Sequence, residues 1–274
     1  MQFTLFPSEQ FSFFSLSSGS CGNCYFLGNP HWGILIDAGI GPRIIKKRLA
    51  QYGIQLSSIM AILVTHDHYD HIKSVGWLGE KLHIPVYATR EVHKAIMNHS
   101  LIRNNLNGST KYIEKGEMFQ IEDFKITAFN VPHDSVDNSG FFIQFDNHRF
   151  TLATDVGAIT DEVAYYICKA NHLVIEANYD EEMLNNGRYP YHLKQRISSG
   201  VGHLSNRQTA EFLADNYSSD LKNIWLCHLS GDNNSPEVAY QTVETHLHRK
   251  GIKVGRQVSL QVLERNILSS KTDF

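Results

Sequence analysis

Four apolar, strand-like runs in this chain stop at a histidine or an aspartate. "IMAILVT" runs into His66, "FKITAFNVP" into His133, "RFTLAT" into Asp155 and "NIWLC" into His228. Strands fix position and the loops leaving them carry chemistry. Four strand ends that each deliver a metal-type ligand therefore favour a fold in which those ends converge on one edge of the core. The rest of the patterning agrees. "YFL", "GILID", "GFFIQF", "NHLVIEA" and "VSLQVLE" also read as strands. "GPRIIKKRLAQYG", "HIKSVGWLGEKL", "TREVHKAIMNH", "SNRQTAEFLADNY" and "SPEVAYQTVETHLHRKG" read as helices. Their punctuation is chemical: Pro42 in a first turn with Gly53 past the end, Thr89 as a cap, Ser205 with Gln208 as a capping box, and Ser235, Pro236 and Gly251 bounding the last helix. Strands with helices inserted between them imply sheets covered by helices, an α/β chain. No repeat, low-complexity tract or linker divides it, so one domain over 1–274 is expected.

The 274 residues are 42% hydrophobic and 19% charged, as in an ordinary globular protein, and the net charge is −3. The chain as a whole is no electrostatic magnet for nucleic acid or membrane, and any basic binding surface must be local. The first basic residue is Arg43, and no apolar stretch approaches the ~18–20 residues of a membrane span. A cytoplasmic protein with no membrane partner is expected. The four cysteines do not suggest a disulfide scaffold. Cys21 and Cys24 have C-x-x-C spacing but no second pair, and read as small buried residues flanking a strand start.

"THDHYDH" packs three histidines and two aspartates into the stretch after one of those strands. His66 and His68, two apart in an extended loop, project the same way and can share one ion, which His133 would complete. Asp70 and His71 lie one turn later, at a helix start, and can reach a second ion together with His228. A two-metal site with ions about 3.5–4 Å apart needs this split and a bridging carboxylate, for which Asp155 is placed. Imidazole with carboxylate suits zinc, manganese or iron rather than calcium. Two divalent ions per chain, Zn2+ or Mn2+ with Fe2+ as a third choice, are expected.

With that pattern in view, the chain resembles the metallo-β-lactamase superfamily over nearly its whole length: Asp37 in "LIDAG", then His66-x-His68-x-Asp70-His71, His133, Asp155 and His228. The resemblance implies a four-layer αββα sandwich with the metals in a cleft at one edge, and Asp37 supporting the ligand loop. Lactamases proper often place a cysteine where Asp155 stands, so the likeness is to the hydrolase and nuclease branches. The 73 positions from Asp155 to His228 leave no room for the inserted domain of the β-CASP nucleases. Glu176 in "VIEANYD" and His203 in "GHLSNRQTAEFLA" resemble the Glu/His pair of RNase Z, which implies a His203 that assists the leaving group and a Glu176 that orients it. "SLSSGSCGNCYFL" and "CHLSGDNN" resemble the YycJ (WalJ) subgroup, metallo-hydrolases linked to 5′→3′ DNA exonuclease activity. Cys21 departs from the serine expected there.

Between Gly187 and Arg207 lie Arg188, Lys194, Arg196 and Arg207 with no acid, interleaved with Tyr189, Tyr191 and His192. Basic groups engage phosphates and aromatic faces stack bases. Arg188, Tyr191, Lys194 and Arg196, with Asn23 from the first loop, are therefore the expected substrate contacts. "KKR" (46–48) reads as a solvated helix face. The combined expectation is a dinuclear phosphodiesterase, a 5′→3′ exonuclease with DNA preferred to RNA, attacking with a hydroxide that bridges the ions and that Asp70 orients. The alternative is a small-molecule hydrolase of the same fold: a cyclic phosphodiesterase, lactonase or thioesterase.

Overall fold

The structure is a computed structural model and describes residues 10–102, 104, 106 and 108–274. The amino-terminal residues 1–9, used above only for composition, lie outside it. In chain order the strands are β1 (Ser12–Ser17), β2 (Cys24–Gly28), β3 (Gly33–Ile36), β4 (Ile59–Leu63), β5 (Val86–Ala88), β6 (Thr110–Tyr112), β7 (Met118–Ile121), β8 (Phe124–Asn130), β9 (Ser139–Phe145), β10 (His148–Ala153), β11 (His172–Glu176), β12 (Asn223–Cys227), β13 (Ser259–Val262) and β14 (Thr272–Asp273). They form two sheets, ordered β14-β1-β2-β3-β4-β5-β6 and β13-β12-β11-β10-β9-β8-β7. Each sheet contains a run of four parallel strands, β3 to β6 in one and β10 to β13 in the other.

Three hydrophobic cores separate four layers. The middle core lies between the sheets and joins Phe13, Tyr25, Ile34 and Leu63 to Ile126, Phe141, Phe150, Val174 and Trp225. On the outer face of the first sheet, Phe14, Leu16 and Phe26 meet the helices α1 (Pro42–Gln51), α3 (Val75–Leu82) and α4 (Arg90–Asn98). On the outer face of the second, Phe129, Phe142 and Leu226 meet α5 (Asp161–Lys169), α8 (Asn206–Asp215) and α9 (Pro236–Arg249). The remaining helices are α2 (Tyr69–Ile72), α6 (Glu181–Asn186) and α7 (Tyr191–Ile197). This is the αββα sandwich of the metallo-β-lactamase fold. The assignment of side chains to cores follows strand geometry. Phe13 points to the middle core while its neighbour Phe14 points outward, because successive Cβ atoms alternate across a sheet.

The helix caps expected from sequence are present: Thr89 accepts from Val92 N, and Ser205 with Gln208 forms a full capping box. Three local expectations change. "HIKSVGWLGEKL" is not one helix but α2 and α3. The amide of Ser74 donates to Ala38 O (2.8 Å) and Asp70 O accepts from Asn23 N (2.7 Å), so the bond that would continue the helix through residue 74 is diverted at both ends. The basic segment after Gly187, to which no helix is assigned from sequence, coils over residues 191–197 into α7 behind Pro190. Cys24 is buried but Cys21 is exposed, and both are free thiols.

Candidate active site

The carboxyl ends of the two parallel runs meet at one edge of the sandwich, where sheets of parallel strands place their ligands. Register sets the neighbours: Glu176 pairs with Cys227, so Glu176 and His228 leave adjacent strands side by side, and Ile36 pairs with Leu63, setting Asp37 against Thr65. Asp37, Asp155 and His228 all take left-handed backbone conformations, with φ of 59°, 55° and 55°. A residue with a Cβ pays about 1–2 kcal/mol for this, and it persists only where surroundings enforce it. Here Asp37 N donates to Leu63 O (2.8 Å), His228 N donates to Ser18 Oγ (2.8 Å), and the Asn138 amide donates to Asp155 O (3.0 Å). The reversal occurs just past each strand, where the chain leaves the sheet for the site edge.

The structure brings the seven sequence-predicted ligand candidates together. Donor atoms of His66, His68 and His133 lie within 4.8 Å of one another, as do those of Asp70, His71 and His228. Asp155 stands between the two groups: Oδ2 is 3.2 Å from His71 Nε2, and Oδ1 is 3.6 Å from His133 Nε2 and 3.4 Å from His228 Nδ1. A third grouping joins Asp155 to Glu176, His203 and His228.

Four of the five ligand imidazoles are gripped from behind. His66 Nδ1 is 3.0 Å from the Thr65 hydroxyl, His71 Nδ1 is 2.7 Å from Asp37 Oδ2, His133 Nδ1 is 3.0 Å from Gly202 O, and His228 Nδ1 is 2.9 Å from Glu176 Oε1. Such outer partners fix ring orientation and tautomer at metal sites. The inward Nε2 atoms of His66, His133 and His228 are buried and, among the described residues, have no hydrogen-bond partner. Buried polar atoms are normally satisfied. Three orphans aimed into a cluster of imidazoles and carboxylates fit a divalent cation of the nitrogen- and oxygen-loving kind.

Electrostatics point the same way. Burial pushes the Asp155 carboxyl up, but His228 and His71 outweigh it and hold the group well below the ordinary range. Burial opposes charging of His71 and His228, yet Asp155 and its companions raise the first well above normal and the second to about 10. His66 and His133 are pushed down, chiefly by burial, with neighbouring histidines adding to the effect against Asp155. The site is thus a concentration of buried negative charge that draws positive charge onto nearby rings.

Glu176 is completely buried and shared. Its Oε1 lies 2.9 Å from both His203 Nδ1 and His228 Nδ1, while Oε2 accepts from Val156 N (2.8 Å) and Leu204 N (3.1 Å). Asn23 is also fully buried. Its amide lies 2.9 Å from His71 Nε2 and 3.4 Å from Asp70 Oδ2, and its side-chain carbonyl accepts from Gly19 N, so it is held within the donor cluster and, unlike the contact expected from sequence, presents no exposed surface. Arg196 pairs through Nε with Asp134, the neighbour of His133, and so borders the cleft. Lys194 instead donates to Asn185 O and, with Tyr191, lines a separate hollow against Leu184. Arg188 is exposed.

Ser18, Thr65, Asn138 and Asn178 complete the scaffold of the site and were not legible from sequence. Asn178 donates to His228 O (2.7 Å). Small polar residues beside a strand end carry no spacing signal. Gly39 has a different logic: a Cβ there would lie 1.6 Å from Asp70 O, so only glycine lets the loop after β3 pass beneath the ligand loop.

With fold and site in place, the chain belongs to the β-lactamase superfamily: the family description "Beta-lactamase superfamily domain" matches residues 32–222. It is a hydrolase of metallo-β-lactamase fold, a class built to hold divalent metal. Among curated relatives, it is 37% identical to the exodeoxyribonuclease YycJ of Bacillus anthracis over 241 residues, 88% of this chain and 90% of that one. It is 36% identical to the exodeoxyribonuclease WalJ of Streptococcus pneumoniae over 246 residues, 89% of this chain and 91% of that one. Among solved structures, the metallo-β-lactamase fold protein YhfI of Bacillus subtilis superposes with a TM-score of 0.72 over 97% of this chain and all of that one, at 14% identity, a likeness of fold. No helix among the described residues is long and apolar enough to cross a membrane.

Proposed function

We propose that this chain is a dinuclear metal-dependent phosphodiesterase that degrades DNA from the 5′ end. The observation that carries the reading is the position of Asp155 between two three-residue donor groups, with the His203–Glu176 pair against its other side. The relatives named as exodeoxyribonucleases, similar over nine-tenths of their length, supply the substrate class.

In this reading His66, His68 and His133 would hold one divalent ion and Asp70, His71 and His228 the other, with the Asp155 carboxylate within reach of both groups; Zn2+ or Mn2+ would suit these donors, and Fe2+ also. When bound, the ions polarise the phosphoryl oxygen and lower the pKa of an attacking water towards ~7. Asp70, the more exposed of the site's carboxylates with 24% of its side chain accessible, accepts a hydrogen bond from that water and sets its direction. The water oxygen, giving up one proton to solvent, would bond to phosphorus as the opposite P–O bond breaks. His203, its Nδ1 held by Glu176, presents Nε2–H to the departing oxygen and gives it a proton. Arg196 at the cleft rim meets a backbone phosphate. The chain works in the cytoplasm, where DNA is its partner.

A panel of 5′-labelled DNA, the matching RNA, a chromogenic phosphodiester and a lactone, each with zinc or manganese, tests the reading. Stepwise loss of the 5′ label from DNA, with RNA slower and the lactone untouched, is expected. Preferential turnover of the lactone or the small phosphodiester would replace it with the small-molecule alternative.

A further inference from the structure

The glycine-rich strings "SSGSCGN" and "CHLSGDNN" flank the site without contributing a ligand other than His228. What they enclose is Arg265, three residues beyond β13. Its backbone bridges to Ser18, the residue whose hydroxyl receives His228 N. Its Nη1 donates to Ser20 Oγ (3.1 Å) and to Leu229 O (3.4 Å), the residue after His228. The guanidinium therefore lies between the two loops that leave β1 and β12 at the ligand edge.

Both loops are shaped around it. A Cβ on Gly19 would come within 2.8 Å of Arg265 Cγ, and one on Gly231 would come within 2.7 Å of Nη1 and 2.8 Å of Cζ. Gly19 also sits at φ of +95°, which side-chain-bearing residues rarely adopt. Two glycines in two separate loops thus make room for one cation. Among the described residues no carboxylate comes within ion-pair distance of Arg265; Asp232, next to Gly231, is instead held by the Tyr189 hydroxyl (2.7 Å). Arg196, Arg149 and Arg207 are all paired, with Asp134, Asp220 and Glu181. The loop from Ser18 to Asn23 ties Arg265 to the Asp70, His71 and His228 group, whereas Arg196 borders the His66, His68 and His133 group through His133's neighbour.

We propose that Arg265 is a phosphate-binding residue of the cleft, receiving a phosphate of the DNA strand on the side of Asp70, His71 and His228. This rests on the nuclease reading above. Half-buried and preset by Ser20, Leu229 O and two glycines, the guanidinium keeps its unused N–H groups for an anion, and the planar fork suits phosphate oxygens. The phosphate is either the 5′-terminal monoester or an internal diester, and the two present the same oxygens.

The test uses the metal-loaded full chain as wild type, Arg265→Gln and Arg265→Lys. Hydrolysis and fluorescence-anisotropy binding are measured on one sequence bearing 5′-phosphate or 5′-hydroxyl, with a phosphorothioate version for binding across a salt series. Arg265→Gln is expected to raise KM by about 10- to 100-fold, the worth of one charged hydrogen bond, with kcat within about twofold. The salt slope of binding should fall by about one. Arg265→Lys should recover part of the affinity, because it keeps charge and loses the fork. A loss confined to 5′-phosphorylated DNA assigns the terminal phosphate, and an equal loss on both assigns an internal one; either supports the site. Wild-type affinity and slope in Arg265→Gln overturn it, as does a fall in Tm and kcat with KM and slope unchanged, which would make Arg265 a loop clamp. If the wild type binds but does not cut DNA, the nuclease reading falls on its own, and the binding arm still decides Arg265. A wild type that does not bind DNA refutes both.

Discussion

The second sheet has histidines at both ends, and the two ends behave oppositely. At the ligand edge, His228 follows β12 among Asp70, Asp155 and Glu176, and its pKa rises to about 10. At the far end, His172 opens β11, with its ring 4.2 Å from Phe274 and its Nε2 2.9 Å from His148 Nδ1, and its pKa falls to about 3, through burial first and His148 second. Both side chains are buried. The difference is the company. Carboxylates at one end repay the cost of burying charge, while aromatic rings and a neutral amide, Asn223, at the other do not. A buried histidine pair is thus no cation site in itself, and the carboxylates decide.

The strongest way to break that contrast is to remove the central carboxylate. Asp155→Asn keeps the side-chain shape and tolerates the left-handed backbone, so its effect reports chemistry rather than strain. Bound metal, read by mass spectrometry, should fall sharply, with hydrolysis down about 10³-fold or more. His68→Ala should lose metal and rate together. A full metal complement in Asp155→Asn would end the bridging role.

A smaller effect separates metal holding from proton handling within the same edge. His203→Ala should retain the metal and lose about 10²-fold in kcat, the scale of a positioned acid. The Glu176 carboxylate would still hold His228, because it touches both rings. Rate equal to wild type would remove His203 from the reaction.

The two regions also differ in how they read from sequence. The ligand edge was legible because its donors follow apolar strands at fixed spacing, and because Asp37, Glu176 and His203 lie in recognisable strings. Left-handed turns at Asp37, Asp155 and His228 leave no clear sign, since the mild preference of aspartate and histidine for that region is common to many positions and tertiary hydrogen bonds select these three. β1 gives no clear strand signal because its serines interrupt the aromatic run, yet Ser12, Ser15 and Ser17 are buried with it. Lys194 and Arg196 are neighbours in sequence only. α7 sends one to Asn185 and the other to Asp134, a separation that only the helix geometry reveals. Arg265 left no mark at all: a single arginine near the carboxyl end acquires meaning only when two glycine loops close on it.

The mildest test probes the aromatic end. The folded pKa of His172, about 3, lies below its unfolded value of about 6.5. Above about pH 6.5 both states are neutral there and the group contributes no pH dependence. As pH falls, the unfolded chain takes up a proton that the folded chain refuses, so stability declines from about pH 6.5 down towards 3, by at most about 1.4 kcal/mol per unit. His148, also lowered by burial and pulled the other way by Asp146, adds to the same slope. His172→Phe discards the bonds to Asn223 and His148 and should be less stable at pH 7. Between pH 7 and 5, however, the metal-loaded wild type should lose about 1–2 kcal/mol more than the variant in chemical denaturation. The site at the ligand edge is common to both proteins and cancels in the difference. Parallel pH profiles would mean that His172 charges in place, and the contrast between the two ends would then rest on something other than the carboxylates.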